Sequence, residues 1–224
     1  MVRSRILIFV LSLLTFTVGT SAQTPSALET DPKGWIDILP NASFKGWVRA
    51  ALPPGKALDP VTQWKVDRAT RTLLCEGDRG HEWLRYGREL TNFIVHVEWR
   101  LTKKQGLKGY NSGVIVRTSP DSSVWHQAQI GAENDAYLFG GKFINGEVQG
   151  LKFSPRPKEN RIKPAGEWNT YEVRCEGPRI TLWVNGAVTS EDENPDLLKG
   201  YLGLEAEGFR IEFRNLKLKV LPQN

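Results

Sequence analysis

Apolar and polar residues alternate with a period of two along most of the chain. In the clearest stretch, from Phe93 to Leu101, every odd-numbered residue is apolar, whereas His96, Glu98 and Arg100 are polar. Successive side chains of a β-strand point to opposite faces, so this pattern predicts a strand with one buried and one polar face. Similar stretches predict further strands at Arg71–Cys75, Val114–Thr118, Trp125–Ile130, Tyr171–Cys175, Ile180–Val184, Tyr201–Glu205 and Phe209–Val220.

The last of these stretches changes phase part-way along. Its apolar residues are odd-numbered at Phe209, Ile211 and Phe213, but even-numbered from Leu216 onward. One face of a strand can accept both sets only if an extra residue is inserted between them. The pattern therefore predicts a β-bulge or bend near Arg214–Asn215.

Helical periodicity is nearly absent from the chain. Asn194–Gly200 is expected to form one helical turn at most. Many short alternating strands are typical of an all-β sandwich or jelly roll. One stretch, Leu138–Gly166, breaks the strand pattern and is rich in Gly, Lys, Arg and Pro. We expect a long connection there, which is either functional or a simple surface excursion.

The composition excludes two classes of protein, and the first 22 residues indicate where the protein is sent. The 224 residues, 40% hydrophobic and 25% charged, exclude a disordered chain and a multi-span membrane protein. Arg3 and Arg5 precede an apolar run from Ile6 to Val18, and small residues follow up to Ala22. This order is typical of a secretory signal peptide over residues 1–22, with an uncleaved anchor as the alternative.

Signal cleavage would leave a mildly basic protein. It removes Arg3 and Arg5, which lowers the formal net charge from +5 to +3, and no block of Lys and Arg remains. We therefore expect no nucleic-acid partner and no membrane contact after cleavage. The expected product is exported, periplasmic or secreted, with a polar leader (residues 23–33) and a single domain (residues 34–222).

The two cysteines, Cys75 and Cys175, each end an apolar run. In an exported protein they could form one disulfide, and the alternative is two buried free thiols on strands. Neither has the neighbouring His or Cys residues that a zinc site or a catalytic thiol requires.

Polar side chains recur on the face of each predicted strand that is turned away from the core. On the strand that begins at Trp125, this face carries Trp125, Gln127 and Gln129. On the strand that begins at Tyr201, this face carries Glu205. On the strand that contains Val114, Arg117 is odd-numbered like Ile115, so it is expected on the face opposite to that of Val114. A sandwich buries the opposite faces, so these side chains must be solvated or line a site.

These stretches, taken in order, resemble successive motifs of the 3-keto-disaccharide hydrolase domain family. The resemblance covers roughly Gly34 to Leu221. The motifs that carry it are Gly34–Leu39, Phe44–Trp47, Glu98–Leu101, Asn111–Arg117, Gln127–Ile130, Glu167–Tyr171, Val184–Gly186, Gly203–Glu205 and Phe213–Leu216.

The resemblance implies a concanavalin-like jelly roll of two antiparallel sheets, one of them concave with a sugar-binding pocket. It also implies action on glycosides whose sugar carries a ketone at carbon 3, such as an oxidised disaccharide. Glu98 would be the acid/base carboxylate, and Glu205 is a second candidate for a catalytic acid or base on chemical grounds. Asn111, Arg117 and Gln129 would bind the substrate.

Two further members of the expected substrate site are Trp125, which could stack on a sugar ring or only pack, and Gln127. The family usually has Glu where this chain has Gln127, and Gln where this chain has Glu205. A His often follows two residues after the latter position, where this chain has Glu207. If the two strands flank one pocket, the charge has moved rather than disappeared.

The chemistry we expect is elimination followed by hydration. A ketone at carbon 3 acidifies the proton on carbon 2, so a base, an acid and a donor near the enolate suffice. No cofactor is expected and the three histidines share no metal-binding spacing, although a carboxylate-bound divalent cation is an alternative. Two other functions stay open: a non-catalytic carbohydrate-binding module, and a structural or interaction domain in which Glu98 merely pairs across its sheet.

Overall fold

A computed structural model describes residues 23–107, 109–132, 135–153, 157 and 159–223. The predicted signal peptide, residues 1–22, lies outside these residues. The described elements, in chain order, are α1 (Ala27–Thr30), β1 (Trp35–Asp37), β2 (Trp47–Ala51), β3 (Trp64–Asp67), β4 (Thr72–Cys75), β5 (Glu82–Tyr86), β6 (Phe93–Leu101), β7 (Asn111–Thr118), β8 (Trp125–Gly131), β9 (Leu138–Ile144), β10 (Glu147–Lys152), β11 (Asn169–Glu176), β12 (Arg179–Val184), β13 (Ala187–Asp192), β14 (Tyr201–Ala206) and β15 (Ile211–Val220).

The strands form two antiparallel sheets. The first, called the back sheet, has the order β13-β12-β11-β6-β15-β4-β3, and β1 also pairs with β15. The second, called the front sheet, has the order β10-β9-β8-β7-β14-β5-β2. The predicted all-β jelly-roll sandwich with very little helix is thereby confirmed.

The hydrophobic core fills the gap between the two sheets. Among its large side chains are Trp64, Trp99, Tyr171 and Phe213, and each of these four is at most 1% exposed. Along β6 the odd-numbered residues are core members, as the alternation predicts. The even-numbered residues of β6 therefore point outward from the back sheet, on the side opposite to the front sheet.

The predicted irregularity in the last strand is present. Along the β15–β6 pair, Arg214 is opposite Glu98 and Lys217 is opposite His96, so β15 contains one extra residue. Asn215 has a φ of 48°, a left-handed conformation that Asn adopts more readily than most residues. This bulge allows both apolar sets of β15 to face the core.

The predicted helical turn at Asn194–Gly200 is wrong, because long-range contacts hold this segment in an irregular path. Gly200 exchanges two backbone hydrogen bonds with Leu90, and Asp196 accepts one from the backbone N–H of Phe143 at 2.7 Å. The helix that does form, α1, lies in the polar leader. No helix among the described residues combines the length and hydrophobicity needed to cross a membrane.

The stretch expected to be a long connection, Leu138–Gly166, contains regular structure in its first half. Residues Leu138–Ile144 and Glu147–Lys152 form the β9–β10 hairpin, whose two-residue turn is Asn145–Gly146. Both turn residues have positive φ, at 54° and 85°. Asn-Gly is the preferred sequence for such hairpin turns, so this signal was present in the sequence.

Both cysteines are free and buried, which agrees with the second of the two alternatives. Cys75 lies on β4 and Cys175 on β11, and two strands of the back sheet, β6 and β15, separate them. Three inter-strand spacings amount to about 14 Å, which is far beyond the reach of a disulfide.

Candidate functional site

The outward face of the front sheet carries a polar cluster. Asn111 comes from β7, Gln127 and Gln129 from β8, and Glu205 from β14. The pairing of β7 with β8 and with β14 places these strands side by side, so residues of equal facing meet on the same side. Four of the predicted site residues are thus brought together by the sheet.

A continuous chain of hydrogen bonds connects these side chains. The amide nitrogen of Gln129 donates to Oδ1 of Asn111 at 2.7 Å, and that of Gln127 donates to Oε1 of Gln129 at 3.2 Å. The same Gln127 nitrogen donates to Oε2 of Glu205 at 2.6 Å, and Nε2 of His81 lies 2.8 Å from the other oxygen of Glu205. The chain fixes the Glu205 carboxylate, which is only 4% exposed.

A glycine makes room for this chain. Gly113 lies between Asn111 and Ile115 on β7, and a Cβ atom built on it would lie 2.3 Å from Nε2 of Gln127. The Gln127 side chain therefore crosses the sheet directly over Gly113 on its way to Glu205. A larger residue at position 113 would occupy that path.

His81, Glu205 and Glu207 form the charged part of the site. His81 immediately precedes β5, and Glu207 immediately follows β14. Nε2 of His81 is 2.8 Å from Glu205 and 3.8 Å from Glu207. Asn111 donates a short hydrogen bond from Nδ2 to Glu207. We call these three residues the charged triad.

The environment shifts two pKa values in the triad. Burial lowers the pKa of His81, but the hydrogen bond and the charge of Glu205, with that of Glu207, raise it by more, so the net change is upward. Burial, and then the charge of Glu205, raise the pKa of Glu207, and His81 offsets part of this rise. His81 therefore holds its proton more tightly than an ordinary imidazole, and Glu207 is a stronger base than an ordinary carboxylate.

The triad has the composition of an acid/base site and also that of a cation site. Each member offers one ligand atom, and these atoms lie within 4.8 Å of one another. One imidazole and two carboxylates suit several divalent cations. These ligand atoms fit the alternative of a divalent cation better than the expectation of no cofactor. The acid/base arrangement rests on the hydrogen bonds of the same side chains.

The triad lies where two pockets meet. One pocket, of about 490 Å³, is lined mainly by apolar residues, and the other, of about 380 Å³, is bounded by the glycines 77, 80 and 208. Both pockets are lined by His81, Asn111 and Glu207. A molecule that occupied both would pass directly over the triad.

Trp125 lies in the wall of the larger pocket, as its assignment to the substrate site requires. It packs against a small hydrophobic cluster on the outward face of the front sheet, formed by Leu52, Trp83 and Ile115. A Cβ atom on Gly141 would lie 2.2 Å from the ring of Trp125, so the indole lies against that glycine.

Glu98 does not belong to this site, and its predicted place beside Glu205 is wrong. It lies on β6 of the back sheet and points outward, away from the front sheet. Arg214 donates to it at 2.7 Å and Asn215 at 3.0 Å. Glu98 thus pairs across its own sheet, which is the alternative considered for it above.

Arg117 was expected on the outward face of β7 as part of the substrate site, and this prediction is also wrong. Thr118 is opposite Tyr201 but Ile115 is opposite Gly203, so β7 has one extra residue here, and Arg117 has a φ of 47°. The bulge turns its side chain into the sandwich, where it is 0% exposed and donates to the carbonyl of Thr91 at 3.1 Å. Burial lowers its pKa. It therefore cannot hold a substrate on the front face.

Three residues of the site escaped the sequence analysis in this role: His81, Trp83 and Glu207. His81 and Glu207 lie just outside strands, where alternation gives no facing. Alternation would turn the charged Glu82 outward rather than its neighbour Trp83, but Glu82 faces the core, where Nε1 of Trp64 donates to it at 2.8 Å.

Comparison with known proteins agrees with this fold. Residues 34–219 match the model of the 3-keto-alpha-glucoside-1,2-lyase-like domain family. No curated protein is similar enough in sequence to count as a match.

Solved structures with the same fold include carbohydrate-active and carbohydrate-binding proteins. A protein of Parabacteroides distasonis that is provisionally named a glycosyl hydrolase has a TM-score of 0.59 at 17% identity, over 89% of this chain and 100% of its own. The carbohydrate-binding module CBM66 from Bacillus subtilis has a TM-score of 0.55 at 14% identity, over 78% of this chain and 95% of its own. The Bacillus licheniformis beta-glucanase has a TM-score of 0.50 at 11% identity, over 79% of this chain and 92% of its own. At these identities the likeness establishes the jelly-roll fold.

Proposed function

Because the chain belongs to the 3-keto-alpha-glucoside-1,2-lyase-like domain family, as its sequence motifs indicate, we propose that it cleaves 3-keto-glucosides by elimination across carbons 1 and 2 of the sugar. The substrate is a carbohydrate whose hydroxyl at carbon 3 has been oxidised, such as an oxidised disaccharide. The charged triad supplies the acid and the base.

The observation that carries this proposal is the 2.8 Å contact between His81 and Glu205, with Glu207 beside both, at the junction of the two pockets. Two of the three titratable groups in the triad, His81 and Glu207, have different tasks. A base of raised pKa and an acid held protonated by a neighbouring carboxylate are the pair that proton transfer near neutral pH requires.

The reaction begins with removal of the proton on carbon 2, whose electron pair moves to the ketone oxygen and gives an enolate. Collapse of the enolate restores the ketone and forms a double bond between carbons 1 and 2. The bond from carbon 1 to the glycosidic oxygen breaks at the same time, and the leaving oxygen takes a proton. Water can then add across the double bond to give the free 3-keto sugar.

Glu207 is the base in this scheme and His81 is the acid. Glu207 has a raised pKa and lies on the wall of both pockets. Nε2 of His81 is engaged by Glu205, and among the described residues none hydrogen-bonds Nδ1, so the Nδ1 proton is available to the leaving oxygen. Against the effect of burial, the hydrogen bond to Glu205 and the charge of Glu205 raise the pKa of His81 and so favour the protonated imidazole.

The three amides orient the sugar. Asn111, Gln127 and Gln129 present a row of donors and acceptors beside the triad. Such groups can bind the ketone and the neighbouring hydroxyls, and a donor near the ketone oxygen lowers the energy of the enolate.

The test compares carboxylate and histidine variants on 4-nitrophenyl 3-keto-α-glucoside. Glu207→Gln and His81→Asn are expected to lower kcat by at least about 100-fold. Glu98→Gln is the matched control, because it removes an outward carboxylate from the other sheet and should leave kcat unchanged. Elimination further requires that substrate deuterated at carbon 2 reacts more slowly, and that the conjugated enone is seen by its ultraviolet absorbance.

A different result would reject parts of this scheme. Full activity of Glu207→Gln would remove that residue as the base, and no isotope effect at carbon 2 under single-turnover conditions would reject elimination. Activity that a chelator abolishes and a divalent cation restores would assign the triad to metal binding instead.

A second candidate is a carbohydrate-binding module without turnover. The amide row and Trp125 favour it, since they are ligand-binding groups that need no acid or base. Tight binding of 3-keto-glucosides by calorimetry, with no product from any of them, would establish this function and reject the first.

We also propose that the protein works outside the cytoplasm, because residues 1–22 have the order of a signal peptide. Amino-terminal sequencing of the protein recovered from its native cell should begin after Ala22. Recovery of an intact terminus from the cytoplasmic fraction would reject export.

A further inference from the structure

The larger of the two pockets at the triad has an unusual wall for a sugar site. Besides the triad, Asn111 and Gln127, its polar residues among those described are only Ser122 and Ser123. The remainder of the wall is apolar. We call this part the apolar lobe, formed by Leu52, Pro53, Pro54, Trp83, Trp125, Phe139 and Val148.

The lobe has its own hydrophobic floor, separate from the core of the sandwich. Trp83, 1% exposed, and Ile115, 0% exposed, lie on the outward face of the front sheet, where polar residues are expected. Leu52 packs on them from the loop after β2, and Trp125 packs from β8. Of this cluster, Leu52, Trp83 and Trp125 also line the pocket, and an apolar wall of this kind is typical of ligand sites.

The second pocket, which we call the glycine lobe, is walled by Gly77, Asp78, Gly80, Gly208 and Phe209. At Gly80 and Gly208 nothing lies within 4 Å of the position of an added Cβ, so a ligand can reach the backbone there, whereas the same position at Gly77 faces the backbone of Phe209. Backbone N–H and carbonyl groups suit sugar hydroxyls, each of which needs a hydrogen-bond partner once water is removed. The two lobes therefore differ in the ligand that each can accept.

The geometry points to a glycoside with an aromatic aglycone as the substrate: the aglycone occupies the apolar lobe and the 3-keto sugar lies over the triad and the glycine lobe. This inference rests on the proposed function and specifies its leaving group. A second sugar in the apolar lobe would leave most of its hydroxyls without partners. A planar aryl group has no such groups to satisfy, and it can stack on the half-buried rings of Trp125 and Phe139.

The test compares leaving groups with and without an aromatic ring, of which the two simple alcohols are similar in acidity. The substrates are 2-phenylethyl 3-keto-α-glucoside, 2-methoxyethyl 3-keto-α-glucoside and 3-keto-trehalose, a disaccharide. We expect kcat/KM for the phenylethyl compound to exceed that of each of the others by about 10- to 100-fold. Equal values, or a preference for the disaccharide, would overturn the inference.

Variants locate the preference in the lobe. Phe139→Ala should reduce the ratio of phenylethyl to methoxyethyl kcat/KM by about tenfold. Phe143→Ala is the matched control, because this residue lies on the same strand and is 58% exposed, but it does not line the pocket. An unchanged ratio in Phe139→Ala, or an equal loss in both variants, would contradict the assignment.

Binding separates this inference from the proposed function. Calorimetry with the unoxidised 2-phenylethyl and 2-methoxyethyl α-glucosides requires no turnover. If no 3-keto compound is cleaved, yet the phenylethyl glucoside binds more tightly and Phe139→Ala removes the difference, then the lobe is assigned and the cleavage is rejected. If the 3-keto compounds are cleaved and neither phenylethyl ligand is preferred, then the lobe assignment alone fails.

Discussion

The substitution Gly113→Ala tests whether the hydrogen-bond chain is held as described. A Cβ atom at this position would lie 2.3 Å from Nε2, 2.5 Å from Cδ and 2.6 Å from Cγ of Gln127. Ordinary contact begins at 3.4 Å, so the Gln127 side chain must retreat by about 1 Å. Its hydrogen bonds to Glu205 and Gln129, at 2.6 Å and 3.2 Å, cannot both survive this movement.

The expected cost follows from two opposing effects. Loss of a hydrogen bond to a buried carboxylate costs about 1.5–3 kcal/mol. Replacement of Gly by Ala in a strand returns about 0.5–1 kcal/mol, because Gly loses more conformational freedom on folding. We therefore expect the free energy of unfolding to fall by about 1–2 kcal/mol.

Urea denaturation measures this change, provided that the slope of the transition is the same in both proteins. Gly150→Ala is the control, since it lies in the same sheet and nothing lies within 4 Å of its added Cβ. In a Gln127→Ala background, Gly113→Ala should no longer be destabilising, which gives a coupling energy of about 2 kcal/mol. A Gly113→Ala protein as stable as Gly150→Ala, or strictly additive effects in the double variant, would refute the reasoning.

Three further predictions concern single residues or pairs. The pH profile of kcat should be bell-shaped. Activity rises as Glu207 loses its proton at a pH above its ordinary pKa of 4.5, and it falls as His81 loses its proton at a pH above its ordinary pKa of 6.5, because the pKa of each group is raised. Glu207→Gln should abolish the acid limb. Arg117→Met should leave kcat unchanged and keep or increase the free energy of unfolding, by up to about 1–4 kcal/mol, because Nε and Nη1 of this buried arginine have no hydrogen-bond partner among the described residues. Gln127→Glu should lower the urea midpoint, because it places two carboxylates at a 2.6 Å contact, and Gln127→Glu/Glu205→Gln should recover most of the loss.

The alternation of apolar and polar residues predicted the fold class and eight of the fifteen described strands. It succeeded for β6 because nine consecutive residues carry the pattern, and for β15 because a change of phase has one simple cause, the bulge at Asn215. The helical turn at Asn194–Gly200 failed because its local preference is overridden by contacts with Leu90 and Phe143, which are distant in sequence.

Only part of the site could be predicted in the same way. Alternation shows that Glu98 faces outward, but it does not show from which of the two sheets, and the resemblance of its motif to an enzyme family could not correct this. Parity likewise placed Arg117 with Ile115, whereas the extra residue in β7 reverses its direction. Asn111, Gln127, Gln129 and Glu205 were grouped correctly because their strands are adjacent and regular.

The two departures from the family pattern acquire a physical meaning in the structure. Gln127 stands where the family usually has Glu, and Glu205 stands where it usually has Gln. These two side chains share one hydrogen bond of 2.6 Å across adjacent strands. If Glu and Gln exchange places across this bond, one carboxylate and one amide stay in contact. The negative charge then lies on β14 instead of on β8. Here the exchange brings the carboxylate against His81, and this contact raises the pKa of His81 despite its burial. The departure therefore transfers charge toward the junction of the two pockets, which is where a leaving oxygen would need its proton.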